Sequence, residues 1–266
     1  MLNLALYRRE MKGSVKLLIT FLAILALYVS VIIGMYRPEL MAMLDGFVRI
    51  MPQLMNAVGM KAGTTSLLGF LASYLYGFVL LIFPMVYSIL RGHGLIAKYV
   101  DRGAMAALVA APVKRRDIAI TQMAALVSGI LILVVFSTVL EFACAAISFP
   151  GELALSDLLL LNLGLLCLHL FISGVCFLAS CVFSDARYSI GFGAGIPAIM
   201  YVLQMLANMG GTAEKAKYFT FFTLFDPNGI IARSTGALTG IAALLVGSII
   251  LYALAIAAFS KKDLHI

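Results

Sequence analysis

Charge is what this chain has least of. Asp, Glu, Lys and Arg make up 12% of its 266 residues, whereas soluble domains average about 25%. With 63% hydrophobic residues and a mean hydropathy of +1.08, that scarcity excludes an ordinary soluble domain. Histidine occurs three times, as His93, His169 and His265. There is no H-E-x-x-H and no cluster of histidines and carboxylates at ligand spacing, so no metal site is expected. No G-x-x-x-x-G-K-[ST] occurs, so the chain has no loop of its own for nucleotide phosphates. The four cysteines, Cys144, Cys167, Cys176 and Cys181, fall in apolar runs. Their spacing fits neither zinc nor a secreted disulfide framework, and they read as buried or lipid-facing thiols. No nucleophile-elbow context supports a hydrolase. The chain is therefore not expected to be an enzyme, nor to bind a cofactor or metal itself. The absence of tryptophan excludes nothing.

What is present in quantity is apolar helix. A bilayer core about 30 Å thick needs roughly 20 apolar residues of helix. Six stretches meet this: 17–36, 67–90, 118–147, 158–183, 190–209 and 238–259. The third and fourth exceed the requirement, which implies tilt or projection beyond the membrane. The expected fold class is an all-α membrane protein of six transmembrane helices, with 1–266 forming one transmembrane domain. The first apolar run starts only after Lys16 and is too long for a signal-peptide core, so it is expected to act as an uncleaved signal anchor.

The excess of Lys and Arg over Asp and Glu, 19 to 12, reads as topology information and not as affinity for nucleic acid. Four of these cations lie in the N-terminal tail (Arg8, Arg9, Lys12, Lys16) and six in the 91–117 loop. In all, thirteen of the nineteen fall on the side that carries both termini. Both termini should face the cytoplasm. Within residues 1–16, Leu4, Tyr7, Met11 and Val15 share one side of a helical wheel, continued by Leu18. Arg8, Arg9, Glu10, Lys12 and Lys16 share another. This pattern predicts an amphipathic helix lying in the cytoplasmic interface among anionic headgroups. On the other side, residues 37–66, broken at Pro52, and 212–236, with a turn at the sequence DPNG, predict short interfacial or re-entrant helices.

Polar residues within spans are costly in lipid and usually face protein or water. Glu141 lies toward the outer end of the third span, where it either reaches the interface or turns inward. Asn162 and His169 are seven residues apart on nearly one face of the fourth. They serve either to bond neighbouring helices or to line a substrate or proton route. In the fifth, Gly191 and Gly195 form a GxxxG pair suited to close helix packing or a dimer face.

The loop AKYVDRGAMAALVAAPVKRRDI, residues 97–118, is longer than a helix connection needs. A helix from about Ile96 to Ala110, stopped at Pro112, would present a compact knob to the cytosol, the form of a docking element for a soluble partner. Its pattern resembles the first cytoplasmic loop of type-2 class ABC transporter permeases, approximately E-x-D-x-G-T-hydrophobic-x-x-L-L-x-x-P-V-x-R. Asp101, Gly103, Met105, Leu108, Pro112, Val113 and Arg115 stand at matching places. The ending FSKKDLHI is similar to the F-x-x-K-D-L close of many members. Tyr99 and Val100 depart from it where an acidic residue is common, and Ala104 replaces the frequent Thr or Ser.

The resemblance implies that this loop is a coupling helix, seated in a cleft of a separate P-loop ATPase subunit that binds ATP and Mg. Lys98, Tyr99, Asp101, Arg102, Met105, Leu108, Pro112 and Arg115 would make that contact. It also implies a permease dimer, of identical or related chains, joined through the first and fifth spans, and export across a bacterial or archaeal plasma membrane. Partners would then be the ATPase, a second permease and lipid, with no nucleic acid. Two other readings stay open: a secondary transporter or channel built on Glu141, Asn162 and His169, and an ABC-type sensor that transports nothing.

Overall fold

The computed structural model describes residues 2–61, 63–64, 66–101, 103, 105 and 113–262. Among these residues the chain is helical and has no strand. Its helices are α1 (Leu4–Gly34), α2 (Pro38–Ile50), α3 (Pro52–Ala57), α4 (Leu67–Tyr74), α5 (Leu80–Leu95), α6 (Ala97–Asp101), α7 (Arg115–Ser148), α8 (Leu155–Val182), α9 (Ala186–Asn208), α10 (Pro227–Ile231) and α11 (Thr235–Lys261). A π-helical turn, Leu75–Val79, joins α4 to α5. Two 3-10 segments, Gly211–Phe219 and Phe221–Leu224, come after α9.

Among the described residues six helical stretches are long and apolar enough to cross a membrane: α1, the continuous run Leu67–Asp101, α7, α8, α9 and α11. The chain is a multi-pass membrane protein. Helices satisfy every backbone group internally, which lipid requires. Six crossings place both termini on one side of the bundle, called here the terminal side; the opposite face is the far side. At 34 residues, α7 is about 51 Å long, well beyond a hydrocarbon core, in keeping with the length expected for the third span.

The spans differ in how much protein surrounds them. The central apolar window of the second is 72% buried and that of α8 67%, against 22% for α9 and 28% for α11. Helix α8 is the hub, packed on α11, α5, α9 and α7, while α1 lies mainly along α7. The buried core runs through Leu25, Leu71, Leu80, Leu126, Leu133, Leu165, Leu168 and Phe177.

Helix starts obey their capping chemistry. The Asn3 side chain accepts from the Leu6 amide at 3.1 Å, Ser66 caps α4 through Gly69 at 3.1 Å, Asp185 caps α9 through Arg187 at 2.7 Å, and Ser234 caps α11 through Ala237 at 3.3 Å. Each supplies an acceptor for an amide that has no partner within its helix.

The N-terminal segment is not a separate interfacial helix. Leu4–Gly34 is one continuous helix, so residues 4–16 extend the first span in line and cannot lie along the membrane plane. Its buried stripe is Leu6, Glu10, Ser14, Leu18, Phe21 and Leu25, whereas Leu4 and Val15 are exposed. In lipid an apolar stripe is free to face outward, and small or polar residues turn toward neighbouring helices.

On the far side, the short helices expected in both connections form: α2 and α3 in the first, the 3-10 segments and α10 in the second. The DPNG sequence does not make a free turn. Asp226 precedes α10 and Pro227 opens it, a position where the missing N–H of proline costs nothing. The C-terminal end of α3 rests on the π-helical turn: a Cβ built on Gly77 would lie 2.8 Å from the Val58 carbonyl oxygen, and Gly59 has φ +82°. Glycine is needed at both places, for close approach and for the left-handed backbone.

Candidate functional site

Three features carry polar chemistry. They are the mount of the 91–117 loop on the terminal side, a cluster between spans around the π-helical turn, and a far-side cleft above that cluster.

The mount is built on Glu10. Its carboxylate Oε2 accepts from Arg91 at 2.6 Å and its Oε1 from the Tyr99 hydroxyl at 2.7 Å and from Gln122 at 3.3 Å. Arg91 also donates to the Glu10 backbone carbonyl at 2.8 Å. Glu10 is buried, so this is a charge-assisted network that locks α1, α5, α6 and α7 together. From α8, Ser180 Oγ accepts from the amides of Ile96 and Ala97 at 3.3 and 3.0 Å, satisfying the break where α5 gives way to α6. Beyond the loop, Arg115 donates to the Lys262 carbonyl at 2.8 Å, and Lys262 donates to that of Cys181 at 3.1 Å. Both ends of the loop are thus bonded to different spans. Beside the network lies a cavity of about 510 Å³, lined by Arg9, Glu10, Arg91, His93, Lys98 and Tyr99 among others.

The residues expected to meet a partner divide on this mount. Lys98 and Asp101 are exposed. Tyr99 and Arg115 are partly buried and already engaged, with Glu10 and with Lys262. Met105 is buried in the core cluster, so it serves packing and does not present its side chain. Arg102, Leu108 and Pro112 lie outside the described residues, as do residues 106–110 of the expected helix. The described part of that helix is α6, Ala97–Asp101.

The second cluster unites the three polar residues expected inside spans. Glu141 does not reach the interface; it is fully buried. Tyr76, in the π-helical turn, donates to Glu141 Oε2 at 2.6 Å, and Asn162 donates to the Tyr76 hydroxyl oxygen at 2.6 Å and to the Leu158 carbonyl at 3.2 Å. His169 Nε2 lies 2.7 Å from the Leu80 carbonyl oxygen; since a carbonyl only accepts, Nε2 carries the proton. A π-helical turn inserts a residue into the helical ladder and rotates the rest of the helix about its axis, and such turns are frequent at functional sites. Here the turn brings Tyr76 to Glu141 and Asn162, and the Leu80 carbonyl beside it takes its bond from His169. Among the described residues Glu141 Oε1, Asn162 Oδ1 and His169 Nδ1 have no hydrogen-bond partner. Among the described residues no Lys or Arg pairs with Glu141.

Above this cluster lies a far-side cleft of about 490 Å³. Tyr76 and Gly77 form part of its wall, with Asn56, Gln204, Asn208 and Asn228 supplying amides, Phe222 and Phe225 aromatic surface, and Lys61 and Asp226 opposite charges. Gln204 is held by Thr223 and Asn208, both at 2.9 Å.

Gly191 and Gly195 meet nothing within 4 Å of a built Cβ. Packing of α9 within the chain uses Gly193 instead, whose built Cβ would contact Cys176 and Ala179. The GxxxG face is therefore open on the outside of the bundle.

Tyr76, Arg91, Gln122 and Ser180 are polar anchors that sequence reading does not single out, and it puts Glu10 on the charged face of an interfacial helix. The spacing Leu6, Glu10, Ser14, Leu18 held the signal, because a repeat of four places Glu10 on the stripe of Leu18. For Tyr76 no sequence signal exists, since its direction depends on the π-helical turn. Comparison of the chain with family models, with curated proteins and with solved structures finds no match.

Proposed function

We propose that the chain is the membrane-spanning subunit of an ATP-driven exporter, acting as a dimer and coupled through the 91–117 loop to separate ATP-binding subunits. The terminal side is then cytoplasmic and the far-side cleft opens outward. The observation that carries this reading is the mounting of the loop. Its two ends are bonded to different spans, through Glu10, Arg91 and Tyr99, through Ser180, and through Arg115 and Lys262. A soluble partner that pushes on such a segment moves several spans together, because a hydrogen-bonded mount transmits displacement where a slack connector absorbs it. Exposed Lys98 and Asp101 and the similarity of the loop to type-2 permeases add to it. Catalysis in this scheme belongs to the partner, which holds ATP and Mg.

The test is affinity purification of the tagged chain from its own membrane. A stoichiometric P-loop ATPase is expected in the eluate of the wild type, and its loss from Leu108→Arg with the chain still folded. Retention of that ATPase at wild-type stoichiometry by Leu108→Arg, or its absence from the wild type, would sink the proposal. A second reading, a transporter driven by an ion gradient, draws support from the isolated carboxyl of Glu141. Transport by the chain alone in sealed vesicles, responding to an imposed gradient, is its signature.

A further inference from the structure

Glu141 is a carboxyl without a matching charge in a place where lipid tolerates none. Its side chain is fully buried, about 10 Å from the far end of α7 by helical rise. One oxygen, Oε2, accepts from the Tyr76 hydroxyl and from Asn162 Nδ2; among the described residues the other, Oε1, has no partner, and neither has Asn162 Oδ1. Both unpartnered atoms are acceptors. A buried carboxyl needs a compensating positive charge or donor, since leaving it bare costs several kcal/mol or more. Among the described residues Tyr76 and Asn162 donate to Oε2 alone, at 2.6 and 3.5 Å, and no side chain supplies a positive charge. The elements packed on α7 are α1, α5, α8 and α11. In their far halves, the adjoining α4 and π-helical turn and the chain just beyond α1, the titratable groups are Tyr28, Tyr36, Tyr74, Tyr76, Tyr87, Asp157 and Cys167, with His169 at the middle of α8 and Cys144 on α7 itself. Asp157 is bonded to Arg233 at 2.9 Å and His169 to the Leu80 carbonyl. What the cluster lacks is one positive charge.

We propose that Glu141, Tyr76 and Asn162 form a binding site for a single monovalent cation, H+ or Na+, reached from the far-side cleft. Two oxygens that hard cations accept as ligands meet there, the Glu141 carboxylate and the Tyr76 phenol; the Asn162 amide faces them through Nδ2 and offers its unpartnered Oδ1 as a third ligand when the amide turns over. Tyr76 separates cleft from site: it belongs to the cleft wall, its side chain is fully buried and its hydroxyl is bonded to Glu141. The close seat of the end of α3 on Gly77 places the far-side connection directly against the turn that carries Tyr76. The site does not depend on the exporter reading, since it is defined by the spans and not by the loop. Failure to capture an ATPase would leave it standing.

A bound cation that the unfolded chain does not hold raises stability by mass action. Thermal unfolding of the purified full chain in detergent reads this in two series. In the first, NaCl replaces choline chloride at constant ionic strength, which removes general screening as a cause. In the second, pH is varied in sodium-free buffer. Wild type should gain Tm with Na+ if sodium is the ligand, or show a pH-dependent Tm without Na+ response if the proton is. Glu141→Gln should lose the Na+ gain, or, in the pH series, should lose the part of the response that the difference between wild type and variant assigns to Glu141. Tyr76→Phe, which keeps volume and removes one ligand, should shift the midpoint by about tenfold. It serves as the deciding variant if Glu141→Gln does not fold. Identical responses of wild type and variants in both series would overturn the site, as would a wild type indifferent to both ions.

Discussion

Glu10 and Glu141 are both buried carboxylates, and their surroundings give them opposite roles. Glu10 is enclosed by donors: Arg91, Tyr99 and Gln122. Truncating it strands the Arg91 guanidinium, which is 13% exposed. Glu10→Ala is therefore expected to destabilise the protein by about 3 kcal/mol, because a buried charge left without its partner is the expensive outcome. Arg91→Met combined with Glu10→Ala should cost less than the two single changes added, because neither charge is then stranded. Thermal unfolding of the four proteins in one detergent measures this, and simple additivity would mean that the pair contributes no coupling. Glu141 has a hydroxyl and an amide but no cation, which is why it reads as a ligand site and Glu10 as a fastening.

At the scale of elements, the junctions decide more than the helices. The π-helical turn Leu75–Val79, Pro84 inside α5 and the break between α5 and α6 are the points where the second span leaves the regular helical ladder, and a side chain from α8 bonds the backbone freed at the last two. His169 takes the Leu80 carbonyl, and Ser180 takes the amides of Ile96 and Ala97. Ser180→Ala leaves those two amides without their acceptor and should cost about 1–3 kcal/mol. It should also speed proteolysis within 97–114 relative to wild type; unchanged cleavage would mean that the cap does not hold the loop. Gly77→Ala drives a Cβ to 2.8 Å from the Val58 carbonyl. A loss of about 1–3 kcal/mol is expected from such overpacking, read as a lower Tm, whereas Gly63→Ala on the same connection, with open space around it but φ +77°, tests the backbone term alone.

For the whole molecule, the questions are orientation and assembly. Cysteine labelling in intact cells with a membrane-impermeant maleimide should modify Lys215→Cys and spare Lys98→Cys until the membrane is opened; the reverse pattern would invert the proposed topology. Gly191 and Gly195 lie on the open face of α9, where a side chain meets nothing within the chain. Gly191→Leu should thus leave monomer stability within about 0.5 kcal/mol. If this face joins two copies, the same change should lower the dimer fraction measured by light scattering in detergent. A dimer that survives it unchanged places the contact elsewhere.

Composition and spacing were enough for the class of the molecule and its six spans, because lipid leaves helices as the only economical way to cross and sets their length. Asn162 and His169 could be read as partners of neighbouring helices for the same reason: polar groups in hydrocarbon must bond to something. Which neighbour they bond was decided by tertiary structure. The bond of Asn162 to Tyr76 exists because a π-helical turn interrupts the second span, and no local pattern announces an inserted residue; that of His169 to Leu80 exists because Pro84, four residues on, has no N–H to offer the Leu80 carbonyl. The continuity of α1 also came from packing. The basic residues at 8–16 suit an interfacial helix as well as an extended span, and burial of Glu10 against Arg91 and Tyr99 selects the latter. Met105 was legible as apolar but not as buried, since apolar residues face core, partner or lipid with equal ease until the helices are assembled.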